Sequence, residues 1–228
     1  MGVGHNTTKI AGKPGPDCPR CPRLVAFRER WRVEKPDWHN APVPSFGPLN
    51  ARALIVGLAP GLQGANRTGR PFTGDWAGDL LYETLAEFGF SRGKYDERPD
   101  DGLALVDCRI TNGVRCVPPE NKPLPVEINA CRDFLKATIA EMPKLRAIVT
   151  LGRISHETTV KALNGKRADA AFGHGAQAAL GNVTVFSSYH CSRYNTNTGV
   201  LTPKMFKKVF ENVRAFLDGA SAKTSARR

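Results

Sequence analysis

Apolar residues along the chain fall into short β-rich runs, separated by stretches in which they recur every three or four positions. Ala53-Leu54-Ile55-Val56-Gly57 is one such run; Leu103 to Thr111, Arg146 to Leu151 and Val183 to Ser188 are the others. Runs of this length, rich in β-branched residues, predict four strands buried on both faces. Helical spacing occupies Trp76 to Phe88, Val126 to Glu141 behind Pro125, and Ile154 to Leu163. Thr202-Pro203 opens a last helix, the hydroxyl as N-cap and the proline in the first turn, where no N–H is needed.

Strand and helix alternating four times predict an α/β fold: three layers, α/β/α, around a central, mostly parallel four-stranded sheet with right-handed crossovers. The folded domain is expected over residues 17–217, with disordered tails at 1–16 and 218–228. In such sheets ligands bind beyond the carboxyl ends of the strands. Three suggestive segments leave strands there: 57–75, Thr111-Asn112-Gly113, and 190–199.

Composition narrows the class. In 228 residues, 41% hydrophobic content is ample for a core, while 33 Lys+Arg against 21 Asp+Glu leave a net charge of +12. That excess favours a polyanionic partner, through release of condensed counterions, or a merely solubilising surface. No apolar run approaches the ~20 residues that span a bilayer. The start, Met1-Gly2-Val3-Gly4-His5-Asn6, lacks the basic and apolar regions of a secretory signal, so a cytoplasmic protein is expected. There the six cysteines are metal ligands or buried thiols rather than disulfides. Cys18 and Cys21 form a C-x2-C pair, Cys116 and Cys131 have 14 residues between them, and Cys108 and Cys191 stand alone.

The loop from Gly57 to Asp75 holds five glycines, which let backbone approach a ligand closely. It lacks the Gly-Lys-Ser/Thr ending of a P-loop. Taken alone it could still be a long structural connection, the lesser of the two readings, and Asp75, just ahead of a helix, reads by itself as an N-cap. His190 alone would be structural, but it opens a polar run containing Arg193 that suits phosphate or sugar contact. Asn112 suits a turn after a strand as well as a base edge, and Phe72 suits the core as well as stacking.

Taken together the segments resemble a known family. Gly57-Leu58-Ala59-Pro60, Gly64-Ala65-Asn66-Arg67-Thr68-Gly69-Arg70 and Phe72-Thr73-Gly74-Asp75 are similar to the first signature of family 5 (type B) uracil-DNA glycosylases. Thr111-Asn112-Gly113-Val114-Arg115-Cys116 with Pro118-Pro119 resembles their middle motif. His190, Ser192, Asn195, Asn197, Thr198 and Gly199 match the closing one. The likeness runs from Cys18 to Phe216. Family 4 relatives carry an acid after the Ala-Pro-Gly turn, where this chain has Leu62-Gln63. Two departures stand out: Cys191 in place of the usual proline, and Gly61-Leu62-Gln63 in place of Ala-Ala-His.

The resemblance implies excision of uracil, and of hypoxanthine and etheno-cytosine, from double-stranded DNA through a flipped-out nucleotide. Asp75 would stabilise the sugar cation and orient water; His190 would hydrogen-bond the departing base; Asn112 would read its edge. Phe72 would stack on the base, with Gly57 and Ala59 against it. Arg67, Arg70, Ser192 and Arg193 would grip DNA, while Lys204, Lys207 and Lys208 read better as a solvated helix face. Cys18, Cys21, Cys116 and Cys131 fall at the ligand positions of a structural [4Fe–4S] cluster stapling an N-terminal arm, although four thiolates equally suit zinc. Cys108 reads as a core thiol; Cys191 as a core thiol or one at the pocket edge. A monomeric, monofunctional enzyme is expected, because no lysine occupies a matched catalytic position. Two other classes compete: a metal-stapled nucleic-acid-binding module leaves Asp75 and His190 without purpose, and a nucleotide hydrolase lacks a phosphate motif.

Overall fold

A computed structural model describes Gly12–Gly219; of the tails expected at 1–16 and 218–228, residues 1–11 and 220–228 lie outside the described residues. In chain order its elements are α1 (Pro22–Glu34), β1 (Ala53–Gly57), α2 (Ala65–Thr68), α3 (Trp76–Glu87), β2 (Ser91–Arg92), β3 (Ala104–Leu105) and β4 (Cys108–Asn112). There follow α4 (Pro125–Ala140), β5 (Ala147–Leu151), α5 (Arg153–Ala162), β6 (Gln177–Leu180), β7 (Val183–Ser188), α6 (Arg193–Asn197) and α7 (Pro203–Leu217). The main sheet runs β4-β1-β5-β7-β6, its first four strands parallel and β6 antiparallel to β7.

Adjacent residues of a strand point to opposite faces, and here both faces are covered. Ile55, Ile110, Val149 and Phe186 pack with α3 and with the Phe206, Val209, Phe210, Val213 and Leu217 stripe of α7. Leu54, Val56, Ile148 and Val185 pack on the other side with Leu135 of α4 and Ala162 of α5. Each large apolar side chain so buried contributes about 1.5–3 kcal/mol, which is why the strands read as continuous apolar runs.

Three expectations need correction. The sheet has five strands, not four: β6 is half exposed, and its Gln-Ala-Ala-Leu sequence carries no β-branched residue to mark it. The run from Leu103 to Thr111 is broken at Asp107, whose φ of +56° turns the chain. The Asp107 carboxylate accepts from the backbone N–H and Nε of Arg52 (2.9 and 2.8 Å). Ala104–Leu105 therefore pairs in a separate ribbon with Ser91–Arg92. Helix α1 was not anticipated, because only Leu24 and Arg28 of its thirteen residues are buried and no apolar stripe announces it.

Candidate active site

Sheet order brings the signature segments together. β4 lies beside β1 in a register that pairs Gly57 with Asn112 at the carboxyl ends of both strands. The pairing continues beyond them, Gly113 N–H donating to the Gly57 carbonyl and Val114 N–H to that of Leu58, each at 2.9 Å. A Cβ on residue 57 would come within 2.7 Å of the Phe72 ring and closer still to Asn112 Oδ1. Glycine is what lets both side chains crowd the strand end. Phe72 has a φ of +53°, which costs an aromatic residue about 1–3 kcal/mol. Its carbonyl is held by the Tyr95 hydroxyl (3.2 Å), and its ring lies 6.2 Å from that of His190.

Asp75 is the N-cap of α3, its carboxylate accepting from Gly78 N–H at 3.1 Å. The loop doubles back over it: a Cβ on residue 64 would stand 2.5 Å from Asp75 Oδ2, and one on residue 61 at 3.2 Å. Burial raises the Asp75 pKa above the ordinary carboxylate value; the Gly78 N–H opposes this, and the charge of Asp79 adds to it. Burial pushes the His190 imidazole down to about 4, so near pH 7 it is neutral, with one N–H to donate.

These groups share one cavity of about 620 Å³, lined by Asp75, His190, Asn112, Phe72, Ala59 and Ser192 and walled by Leu58 to Ala65. Gly57 lies behind it, against Asn112 and Phe72. Leu62 and Gln63 face the cavity, as does Asn121, which the sequence reading missed because it sits in a short 3-10 turn with no signal beyond Pro118-Pro119. Asn112 is 3% exposed, and its Oδ1 has no partner among the described residues. A buried carbonyl oxygen left unpaired costs about 1–3 kcal/mol; here it lines a cavity in which a ligand N–H can satisfy it. An anion, a neutral hydrogen-bond donor, an amide and an aromatic face thus surround a space suited to a planar heterocycle.

The basic residues divide. Arg70 is a correction: it is 4% exposed, donates to both oxygens of Asp101 (2.8 and 2.6 Å), and lies over the rings of Phe46, Tyr82 and Tyr95. Its hydrogen bonds hold the Asp101 carboxyl far below the usual range. So enclosed, Arg70 braces the glycine-rich loop and cannot reach DNA. Arg67 and Arg193 are exposed. Ser192 caps α6, accepting from Asn195 N–H, and the Asn195 amide donates to the His190 carbonyl at 2.8 Å. Lys207 is ion-paired with Glu83 and Glu87 and Lys208 with Glu211, as befits a solvated face. Trp76 was also missed: its indole N–H donates to Thr196 Oγ1 (3.1 Å) and its ring lies 4.9 Å beneath the Arg193 guanidinium. An aromatic residue directly after Asp75 was the available signal.

Cys18, Cys21, Cys116 and Cys131 line one small cavity with Leu24, Val114 and Phe134. Arg115 N–H donates to Cys131 Sγ at 3.3 Å. Burial, then the neighbouring cysteine thiolates, push Cys116 up to about 12. Among the described residues, no three His, Cys, Asp or Glu side chains stand close enough to hold a metal ion as they are. Cys108 and Cys191 are fully buried, their thiols donating to the carbonyls of Phe90 and Ala77 (each 3.4 Å); Cys191 is a core thiol rather than a pocket-edge one.

The model of the uracil DNA glycosylase superfamily matches residues 44–214. A type-5 uracil-DNA glycosylase of Thermus thermophilus is 45% identical over 199 residues, covering 84% of this chain and 90% of the relative. A type-5 uracil-DNA glycosylase of Pyrobaculum aerophilum is 39% identical, covering 87% and 88%. A type-4 uracil-DNA glycosylase of the same organism is 30% identical, covering 89% of each.

Proposed function

From the premise that this chain belongs to the uracil-DNA glycosylase superfamily, in its type-5 branch, we propose that it hydrolyses the N-glycosidic bond of uracil in double-stranded DNA, leaving an abasic site for base-excision repair. The observation that carries this reading is the buried, unpartnered Oδ1 of Asn112 in the same cavity as Asp75 and His190. A flipped uracil offers N3–H to that oxygen and O4 to the amide N–H; cytosine offers an acceptor and a donor at the same two places and leaves both unmatched. Hypoxanthine presents the same N–H and carbonyl pattern as uracil, and etheno-cytosine enters by the size of the cavity, so both belong to the proposed range. Phe72 stacks on the base, and Gly57 and Ala59 pack beside it.

Bond breaking leaves positive charge on deoxyribose and negative charge on the base. His190 donates from its neutral ring to the base carbonyl where that charge collects. The Asp75 carboxylate faces the sugar cation and holds the water that attacks it. Water is the nucleophile, since no lysine lines the cavity among the described residues, and the reaction is monofunctional. Arg67, Arg193 and Ser192 contact the backbone, and Tyr194, an exposed residue of α6, enters the space the base leaves.

Cys18, Cys21, Cys116 and Cys131 are the residues that would hold a structural metal–thiolate group, a [4Fe–4S] cluster or zinc. The donor set fits: four thiols on one cavity, Cys131 buried and the other three half-buried, repel one another once ionised, and a cation between them removes that cost. Such a group supplies no chemistry to the cut; it ties the arm before α1 to the loop after β4 and to α4. The enzyme acts as a monomer in the cytoplasm. Incubation with a uracil-containing duplex followed by alkali tests the activity: strand scission at the uracil is expected, and an intact strand refutes it.

A further inference from the structure

Two arginines bury their guanidinium groups against the cysteine cavity with no buried carboxylate to match them, Arg28 meeting only the exposed Glu29. Arg28 projects from the inner face of α1, one turn beyond Leu24, and is 3% exposed. It donates to the Cys18 carbonyl at 3.3 Å, its nearest acid is the exposed Glu29 at 3.6 Å, and its Nε has no hydrogen-bond partner among the described residues. Arg115, next to Cys116 in sequence, is also 3% exposed. It donates to Ser45 and Thr138 hydroxyls (2.8 and 2.7 Å), pairs with no acid among the described residues, and likewise has an unpartnered Nε. Both line the cavity with all four cysteines. Buried arginine is ordinarily matched by a carboxylate, and a buried charge left alone is costly.

We infer that Arg28 and Arg115 are the counter-charges of the metal–thiolate group, making the cavity selective for a dianion. This rests on the reading of the four cysteines given above. Four thiolates around a zinc ion, or around a [4Fe–4S] core in its resting state, carry two net negative charges. Two guanidinium ions neutralise them. Loading then relieves two kinds of cost together, thiolate repulsion and unpaired cations, so the arm that carries Cys18, Cys21 and Arg28 docks firmly only on the loaded site. The chain's overall positive charge does not account for these two residues, since neither reaches solvent.

The test compares full-length wild type, Arg28→Gln and Arg28→Lys, purified with metal bound. Gln retains a donor for the Cys18 carbonyl without the charge, and Lys retains the charge. Metal and acid-labile sulfide per chain, the rate of metal loss to a chelator, and Tm before and after stripping are measured. Arg28→Gln is expected to release metal at least about tenfold faster, in line with losses at other residues that support metal ligands. Its Tm should fall only in the loaded protein, and Arg28→Lys should recover most of the retention. If Arg28→Gln does not fold, Arg115→Gln takes its place in the same comparison. Equal release rates, or a Tm loss that is the same in loaded and stripped protein, overturn the inference and leave only packing. Wild type that carries no metal when purified sinks instead the reading of the cysteines.

Discussion

Replacing Asp75 by Asn separates the two duties of this residue. Asparagine caps helices as well as aspartate does, and its carbonyl still accepts from Gly78 N–H, so α3 keeps its start. Only the charge is lost. A carboxylate roughly 4 Å from a developing cation in a medium of effective dielectric about 20 is worth about 4 kcal/mol, or about a thousandfold in rate. Stability should move the other way. Burial raises the Asp75 pKa in the native state, so the native protein binds the proton more tightly than the unfolded chain. Stability therefore falls as pH rises from the unfolded value through the native one, and at neutral pH the ionised carboxylate is a liability. Asp75→Asn is thus expected to lose about three orders of magnitude in single-turnover excision while its Tm at pH 7 stays the same or rises. The rate of the wild type should fall in acid from a pH above the range of an exposed carboxylate, and the variant should lack that limb. Excision from a uracil duplex, read by alkaline cleavage, and a thermal melt suffice. A variant retaining more than a tenth of the rate, or melting several degrees lower, would refute the reasoning.

Other consequences are as direct. Gly57→Ala places a methyl between Asn112 and Phe72; overpacking of this kind costs about 1–3 kcal/mol, and excision should fall about a hundredfold or more with the fold intact by circular dichroism. Arg70→Met should cost about 3–5 kcal/mol in urea melts by stranding Asp101, whereas Arg193→Ala should leave the melt unchanged and lower the slope of duplex affinity against log[salt] by about one. Because burial holds His190 near 4 while the unfolded imidazole titrates near 6.5, the unfolded chain binds the extra proton between those values. Stability should drop as pH falls through that window, by about 3 kcal/mol at most from this residue. His190→Gln should flatten that limb and slow excision about 100- to 1000-fold; an unchanged limb would place the titration elsewhere, His174 being the other imidazole depressed by burial among the described residues. Trp76→Ala should weaken duplex binding without changing Tm by more than about a degree, since it frees Arg193 and Thr196 at the surface.

Local rules are written in local sequence. The bounds of β7, the start of α7 at Thr202-Pro203 and the capping position of Asp75 depend on a few consecutive residues, and all three could be read directly from the chain. Four parallel strands buried on both faces were likewise legible, because double coverage removes polar alternation. What the sequence could not decide depends on residues far apart along it. Arg70 reads as a DNA contact until Asp101, 31 residues on, closes over it. Gly57 and Asn112 become neighbours only through strand order, and the Asn112 oxygen there has no partner among the described residues. The depressed pKa of His190 and the raised one of Asp75 come from desolvation, a property of the space around a side chain and not of its neighbours in the chain. The sequence named the groups; packing at the strand ends set their charge, their freedom and their company.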